Sequence, residues 1–368
     1  MPDAPAAIFT PPATPTPSAA GAVHASPSAS PAAAAVVHAS PGIPTPSAPG
    51  AVHVVPGVGG AVFTARDSQR NWKGVASSAD GVNLAACVFG GSIYTSTDSG
   101  VTWTARRDGW NYIAIASSSD GVKLAVVVEG GYIYTSTNAG VTWWQRDDTR
   151  AWIAIASSAD GVNLVACVFG GNIYTSTDSG VTWTARETAR LWQSVACSTD
   201  GVKLVAVVDA GYIYTSTDSG VTWTARDGVQ AWSAVASSAD GTKLFAVSDW
   251  PPVARFSTNS GVTWSASGLP VSSRSAVASS ADGLKLVVAP DVGFLSTSTD
   301  GGATWTESGD YRIWLALASS ADGAKLVAVG YFERIYTITA GSALPTPATV
   351  HASPGIPSPS APPAIFTP

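Results

Sequence analysis

An Asp-Gly pair returns along the chain at Asp80, Asp120, Asp160, Asp200, Asp240, Asp282 and Asp322, at intervals of 40 residues broken once by an interval of 42. A period of this length constrains the fold strongly. Each repeat must be one supersecondary unit that buries its faces against its neighbours. Each pair follows a strand-like run such as Trp152–Ser157 and precedes an apolar run such as Lys203-Leu204-Val205-Ala206-Val207-Val208. A glycine-rich turn, a third run like Tyr212-Ile213-Tyr214-Thr215-Ser216 and a fourth like Val221-Thr222-Trp223-Thr224-Ala225-Arg226 complete the unit. Val, Ile, Thr, Trp and Tyr favour strands, and these segments are rich in them.

Four short strands joined by tight turns, seven times over, predict an all-β chain: a single seven-bladed β-propeller of four-stranded antiparallel blades. The second strand is apolar at nearly every position, as expected when neighbouring blades cover both faces. The third alternates and is expected further out. The seventh repeat stops after Ile335-Tyr336-Thr337 and has no fourth strand. Ala61-Val62-Phe63-Thr64-Ala65-Arg66 matches that strand, with Phe63 in place of Trp, so the N-terminal strand is expected to close the ring and leave no open edge. Residues 61–341 are thus the propeller. Residues 1–60 and 342–368 are Pro/Ala/Ser-rich extended tails with units about 15 residues apart, ending at Phe9, His24, His38, His53, His351 and Phe366. These units are candidate docking motifs that tie the propeller into an assembly, with a plain semi-rigid linker as the alternative.

The turn between third and fourth strands reads Ser-Thr-Asp-Ser-Gly-Val-Thr-Trp at Ser96–Trp103, Ser176–Trp183 and Ser216–Trp223, with variants at Ser136–Trp143, Ser257–Trp264 and Ser298–Trp305. Asp98, Asn138, Asp178, Asp218, Asn259 and Asp300 are expected to accept turn N–H bonds. The Gly would take positive φ, and Trp103, Trp143, Trp183, Trp223, Trp264 and Trp305 would cover the turn. Asn at two sites argues for a structural box rather than a calcium site, so no metal and no cofactor is expected. The motif resembles the Asp-box, or BNR, repeat family of β-propellers over about residues 62–340, which includes sialidases, sortilin-type receptors and photosystem II assembly factors. A sialidase would carry Arg-Ile-Pro. The nearest matches, Arg312-Ile313-Trp314 and Arg334-Ile335-Tyr336, lack the proline.

Function is less constrained. All four histidines lie outside the propeller and only four glutamates occur, which argues against an enzyme. Cys87, Cys167 and Cys197 have no metal-ligand spacing and read as buried small hydrophobes. The face bearing Asp-Gly turns and boxes carries an excess of acids, which excludes nucleic-acid phosphates as partners. The opposite face, with the variable loops, tallies near neutral. No apolar run is long enough for a membrane span, and no standard signal peptide is visible. Five tryptophans and a tyrosine (Trp72, Tyr112, Trp152, Trp192, Trp232 and Trp314), with Arg274 at the remaining position, begin the first strands. They read either as a ligand-binding aromatic ring or as wedges between blades. The leading expectation is a noncatalytic recognition or scaffold propeller serving a protein assembly, displayed on a bacterial surface or phage particle by its tails. A glycan-binding lectin is the first alternative. A divergent glycoside hydrolase using Asp147 with Asp148, or Glu307 with Asp310, is the second.

Overall fold

The computed structural model describes residues 52–53, 61–269 and 275–339. Arg274, Ala340 and the tail units at Phe9, His24, His38, His351 and Phe366 lie outside the described residues. The regular structure there is all β-strand, beginning with β1 (Val52–His53) and β2 (Val62–Arg70). Blade one is β3 (Trp72–Ser77), β4 (Leu84–Gly91), β5 (Ile93–Ser96) and β6 (Thr104–Ala105). Blades two and three and the start of blade four use long, shared strands: β7 (Trp110–Ser117), β8 (Leu124–Ser136), β9 (Trp144–Ser157), β10 (Leu164–Ser176) and β11 (Thr184–Cys197). β8 and β10 each supply a second and a third strand. β9 and β11 each run from the outer strand of one blade into the inner strand of the next. Blade four continues with β12 (Leu204–Val208), β13 (Ile213–Ser216) and β14 (Thr224–Ala225). Blade five is β15 (Trp232–Ser237), β16 (Leu244–Ser248), β17 (Ala254–Ser257) and β18 (Ser265–Ala266). Blade six is β19 (Ser275–Ser279), β20 (Leu286–Pro290), β21 (Gly293–Ser298) and β22 (Thr306–Arg312), and blade seven has β23 (Trp314–Ser319), β24 (Lys325–Gly330) and β25 (Glu333–Thr339).

Two features close the ring. β2 pairs antiparallel with β25, from Val62 opposite Thr339 to Arg66 opposite Ile335, and so serves as the missing outer strand of blade seven. Phe63 is buried at the tryptophan position. β1 adds a further short strand, with Val52 opposite Thr64 and His53 opposite Phe63. At the centre, the amide of the residue before each Asp-Gly pair donates to the carbonyl of its counterpart in the next blade. The bonds run Ala79, Ser119, Ala159, Thr199, Ala239, Ala281, Ala321 and back to Ala79, each 2.7–2.8 Å long. This collar needs one residue per blade at a fixed place, which is why the 40-residue period is so strict.

The second strands are buried on both faces, as Leu204–Val208 illustrates. Two third strands differ from expectation: Ile93–Ser96 and Ile213–Ser216 are buried at every position rather than alternating. Their polar side chains have partners across the sheet. The Arg106 Nε donates to Thr95 Oγ1 (2.7 Å), and Arg66, Arg146, Arg186 and Arg226 do the same to Thr337, Thr135, Thr175 and Thr215. A hydrogen-bonded threonine can be buried at little cost, so the sequence alternation does not become an exposure alternation.

Candidate functional site: the channel mouth

The aromatic positions at the starts of the first strands fall in the seams between blades. Trp72, Tyr112 and Trp192 are fully buried, and Trp152, Trp232 and Trp314 are 1–2% exposed. Trp72, Trp152 and Trp192 each meet a third-strand tyrosine edge-on at 5.2 Å, and Trp314 meets Tyr336 at 5.6 Å. An arginine from the preceding blade caps each tyrosine: Arg70 over Tyr94, Arg150 over Tyr174, Arg190 over Tyr214 and Arg312 over Tyr336, at 4.5–4.6 Å. Asp67, Asp147, Glu187 and Asp310 then pair with those arginines. Such a layered seam offers no open ring face for a sugar, so a platform built from these six rings is corrected to seam packing. The aromatic body goes inside because its area outweighs its single polar tip. Asp147 and Asp148 both lie near Arg150 (3.5 Å), and Asp310 lies 2.7 Å from Arg312. None of these carboxylates, nor Glu307, lines the central channel.

The boxes are closed local circuits. In the first, Asp98 Oδ1 accepts from the Ser96 hydroxyl and the Thr102 amide, and Oδ2 accepts from the Thr102 hydroxyl. Ser96 Oγ accepts from the Gly100 amide, and Trp103 Nε1 donates to the Gly100 carbonyl (3.0 Å). Gly100 has φ 83°. Asn138 and Asn259 keep the amide contact through Oδ1 and donate Nδ2 to Thr142 and Thr263. Asp178, Asp218 and Asp300 repeat the Asp98 pattern. The box tryptophans, such as Trp143, Trp183, Trp223, Trp264 and Trp305, are half-buried. On the same face each Asp-Gly turn is held by its serine: Ser78 Oγ donates to Asp80 Oδ1 (2.6 Å), which also accepts from the Val82 amide. These bonds hold Asp80 below the usual carboxylate range, the serine contributing most. Lys203, Lys243, Lys285 and Lys325 reach the aspartate carbonyl of the next blade. Cys87 and Cys167 are buried, which pushes their thiols up to about 12, and Cys197 is half-buried.

What remains open is the channel. Beyond the backbone collar it widens into a cavity of about 780 Å³, lined by the first halves of the inner strands and by the residues that end the second strands. The wall mixes apolar side chains, Ile113, Ile153, Leu315, Ala114 and Ala316, with polar ones, Gln193, Ser194 and Ser233. Around the mouth stand Glu129, Phe169, Asp209, Asp249 and Asp291, with Lys73 as the one basic side chain among the described residues of the lining. The face tallied as near neutral is therefore acidic at its centre. Arg70, Arg150, Arg190 and Arg312 turn into the seams, while the carboxylates that end the second strands line the cavity. This ring went unrecognised in the sequence, although its signal is present there: Phe89, Glu129, Phe169, Asp209, Asp249, Asp291 and Tyr331 form a varied position within an otherwise uniform repeat.

No family model matches the sequence, and no curated protein matches it. Solved structures do match by shape. A structure of YCF48 bound to D1 peptide aligns over 79% of this chain and 100% of its own, with TM-score 0.61 and 15% identity. YCF48 from Cyanidioschyzon merolae aligns over 75% and 98%, with TM-score 0.59 and 16% identity. The β-propeller domain of Cps50 (Swd1) from Myceliophteria thermophila aligns over 76% and 100%, with TM-score 0.61 and 12% identity. At these identities the likeness is one of fold, and the fold is that of a β-propeller.

Proposed function

We propose that this chain is a noncatalytic propeller of the Asp-box type that holds a polypeptide segment bearing basic side chains at its channel mouth. The observation that carries the reading is the lining of the 780 Å³ cavity, in which, among the described residues, four carboxylates stand with one lysine above a wall of mixed apolar and polar side chains. An extended segment could bury aliphatic stems against Ile113, Ile153 and Leu315 and leave its ammonium groups among Glu129, Asp209 and Asp291. A peptide complex of one structural neighbour is consistent with this use of the fold. The tails would serve as tethers to a larger assembly, for which a bacterial surface or a phage particle is the proposed setting.

The test is fluorescence anisotropy with a labelled peptide series in which lysines are replaced stepwise by glutamates. Lysine-bearing peptides should bind, and weaken as salt rises. The triple variant Glu129→Gln, Asp209→Asn, Asp291→Asn should lose at least about tenfold in affinity. Equal binding of all peptides, or an unchanged triple variant, would refute the reading.

A further inference from the structure

Among the described residues, five arginines stack over third-strand tyrosines, and four of them meet a carboxylate. Arg70, Arg150, Arg190 and Arg312 lie 2.7–3.5 Å from Asp67, Asp147, Glu187 and Asp310. The fifth, Arg107, lies 4.1 Å above the Tyr134 ring and has no acidic partner among the described residues. The loop sequence explains the difference. Two other loops read Arg146-Asp147 and Arg186-Glu187, whereas this one reads Arg106-Arg107. Arg107 thus comes from the place of the acid, and Trp110 takes the place of Arg150 and Arg190. The next residue, Asp108, accepts from the Ser92 hydroxyl instead. Beside Arg107, Tyr112 and Tyr134 are 0% and 1% exposed. Their hydroxyls and the Arg107 Nε have no hydrogen-bond partner. Buried hydroxyls in that condition are rare.

Blade seven shows the same arrangement completed. There Glu333 Oε2 accepts from the Tyr336 hydroxyl (3.2 Å) and from Arg312 Nη1 (3.3 Å), while Arg312 stacks on Tyr336 at 4.5 Å. In blade two the position of Glu333 falls to Gly131, which has no side chain to offer. We propose that blade two binds a small carboxylate in the place that Glu333 takes in blade seven, held between the Arg107 guanidinium and the Tyr134 hydroxyl. A guanidinium stacked on a ring keeps its plane, and its fork of donors matches the two oxygens of a carboxylate. Arg107 is half-buried whereas both hydroxyls are out of solvent contact, so an entering carboxylate meets the guanidinium first. The Tyr112 hydroxyl, on which Arg107 acts, is pushed up by burial and remains a further donor. Trp110 is 39% exposed and stands 6.2 Å from the Tyr134 ring, and Tyr132 stands 6.4 Å from it. These rings border the seat with apolar surface, which suits a carboxylate on a flat apolar body.

The test is calorimetric titration of the full chain, at constant ionic strength, with sodium benzoate, sodium acetate and a glutamate capped at both ends, and with sodium sulfate as the reference anion. Benzoate should bind more tightly than acetate, and sulfate should give no saturable heat. Arg107→Gln should weaken benzoate by at least about tenfold, and Tyr134→Phe, which keeps the ring and removes only the hydroxyl, by about threefold or more. Arg150→Gln, in a seam that already has its carboxylate, should leave benzoate binding unchanged. Melting curves show whether each variant folds, and Tyr134→Phe decides alone if Arg107→Gln does not. The capped glutamate separates two sources of the same group. Binding tighter than that of benzoate assigns the seat to an acidic side chain of a partner, and weaker binding assigns it to a free carboxylate. Absence of benzoate binding, equal binding of sulfate, or benzoate binding unchanged in Tyr134→Phe overturns the proposal.

Discussion

At the scale of single residues, the face carrying turns and boxes is a pH-dependent element. Asp80, Asp120, Asp160, Asp200, Asp282 and Asp322 are all held below the ordinary value of 3.8, with the neighbouring serine hydroxyl as the leading cause. Thr304 is the leading cause at Asp300, which is held at about 2. A folded value below the unfolded one means that stability is present above pH 3.8 and is lost as pH falls through the folded values. Melting temperature should therefore be flat from pH 7 to about 5 and fall between roughly pH 4 and 2. A curve that stays level to pH 2 would show that these bonds do not favour the charged form. Within a box, Asp178→Ala removes the acceptor for Thr182 and should cost on the order of 1 kcal/mol, whereas Asp178→Asn should cost less, since Asn138 already does the same work. Calcium or EDTA should leave the melting temperature of either variant where it was.

Strands and seams explain which parts of this fold are legible in sequence. The period, the boxes and the split last blade depend on local chemistry: a positive-φ glycine, an acceptor two residues after a serine, a strand with the composition of its siblings. Such features appear wherever the residues do. The seam stacks are not local. Arg190 meets Tyr214 across a blade boundary, and nothing in Arg-Glu-Thr-Ala-Arg distinguishes an arginine that turns outward from one that faces solvent. For the same reason a count of charges per face misplaced the acidic centre of the channel mouth. The role of the first-strand tryptophans was open because a strand start is both a loop end and a seam position, and only the neighbouring blade decides between them. Trp192→Ala should now cost about 3–5 kcal/mol, as other large-to-small core changes do, because the ring is fully buried against Tyr214. Guanidinium unfolding of that variant measures this directly. A cost below about 1 kcal/mol would return the ring to the surface. Deleting residues 1–66 should open blade seven, whereas deleting 1–56 removes the pairing of β1, keeps β2 and should be tolerated.

The seven repeats form an array without free ends among the described residues, and that changes how it should unfold. A linear array of repeats frays from its termini, since each unit is held mainly by its neighbours and the outermost have only one. Here the collar returns from Ala321 to Ala79 and the outer strand of the last blade is supplied by the first, so every blade has two neighbours. Opening any one seam would expose the packed apolar faces of two blades to water. Far-ultraviolet circular dichroism reports all strands, and tryptophan fluorescence reports the seams and boxes. In the intact chain the two should melt together in a single transition. In a chain lacking residues 1–66 they should separate, with the fluorescence from blades next to the gap changing first, because that deletion converts the ring into an array with ends. Coincident transitions in the deleted chain would mean that the collar alone couples the seven blades, and separate transitions in the intact chain would mean that neither closure does.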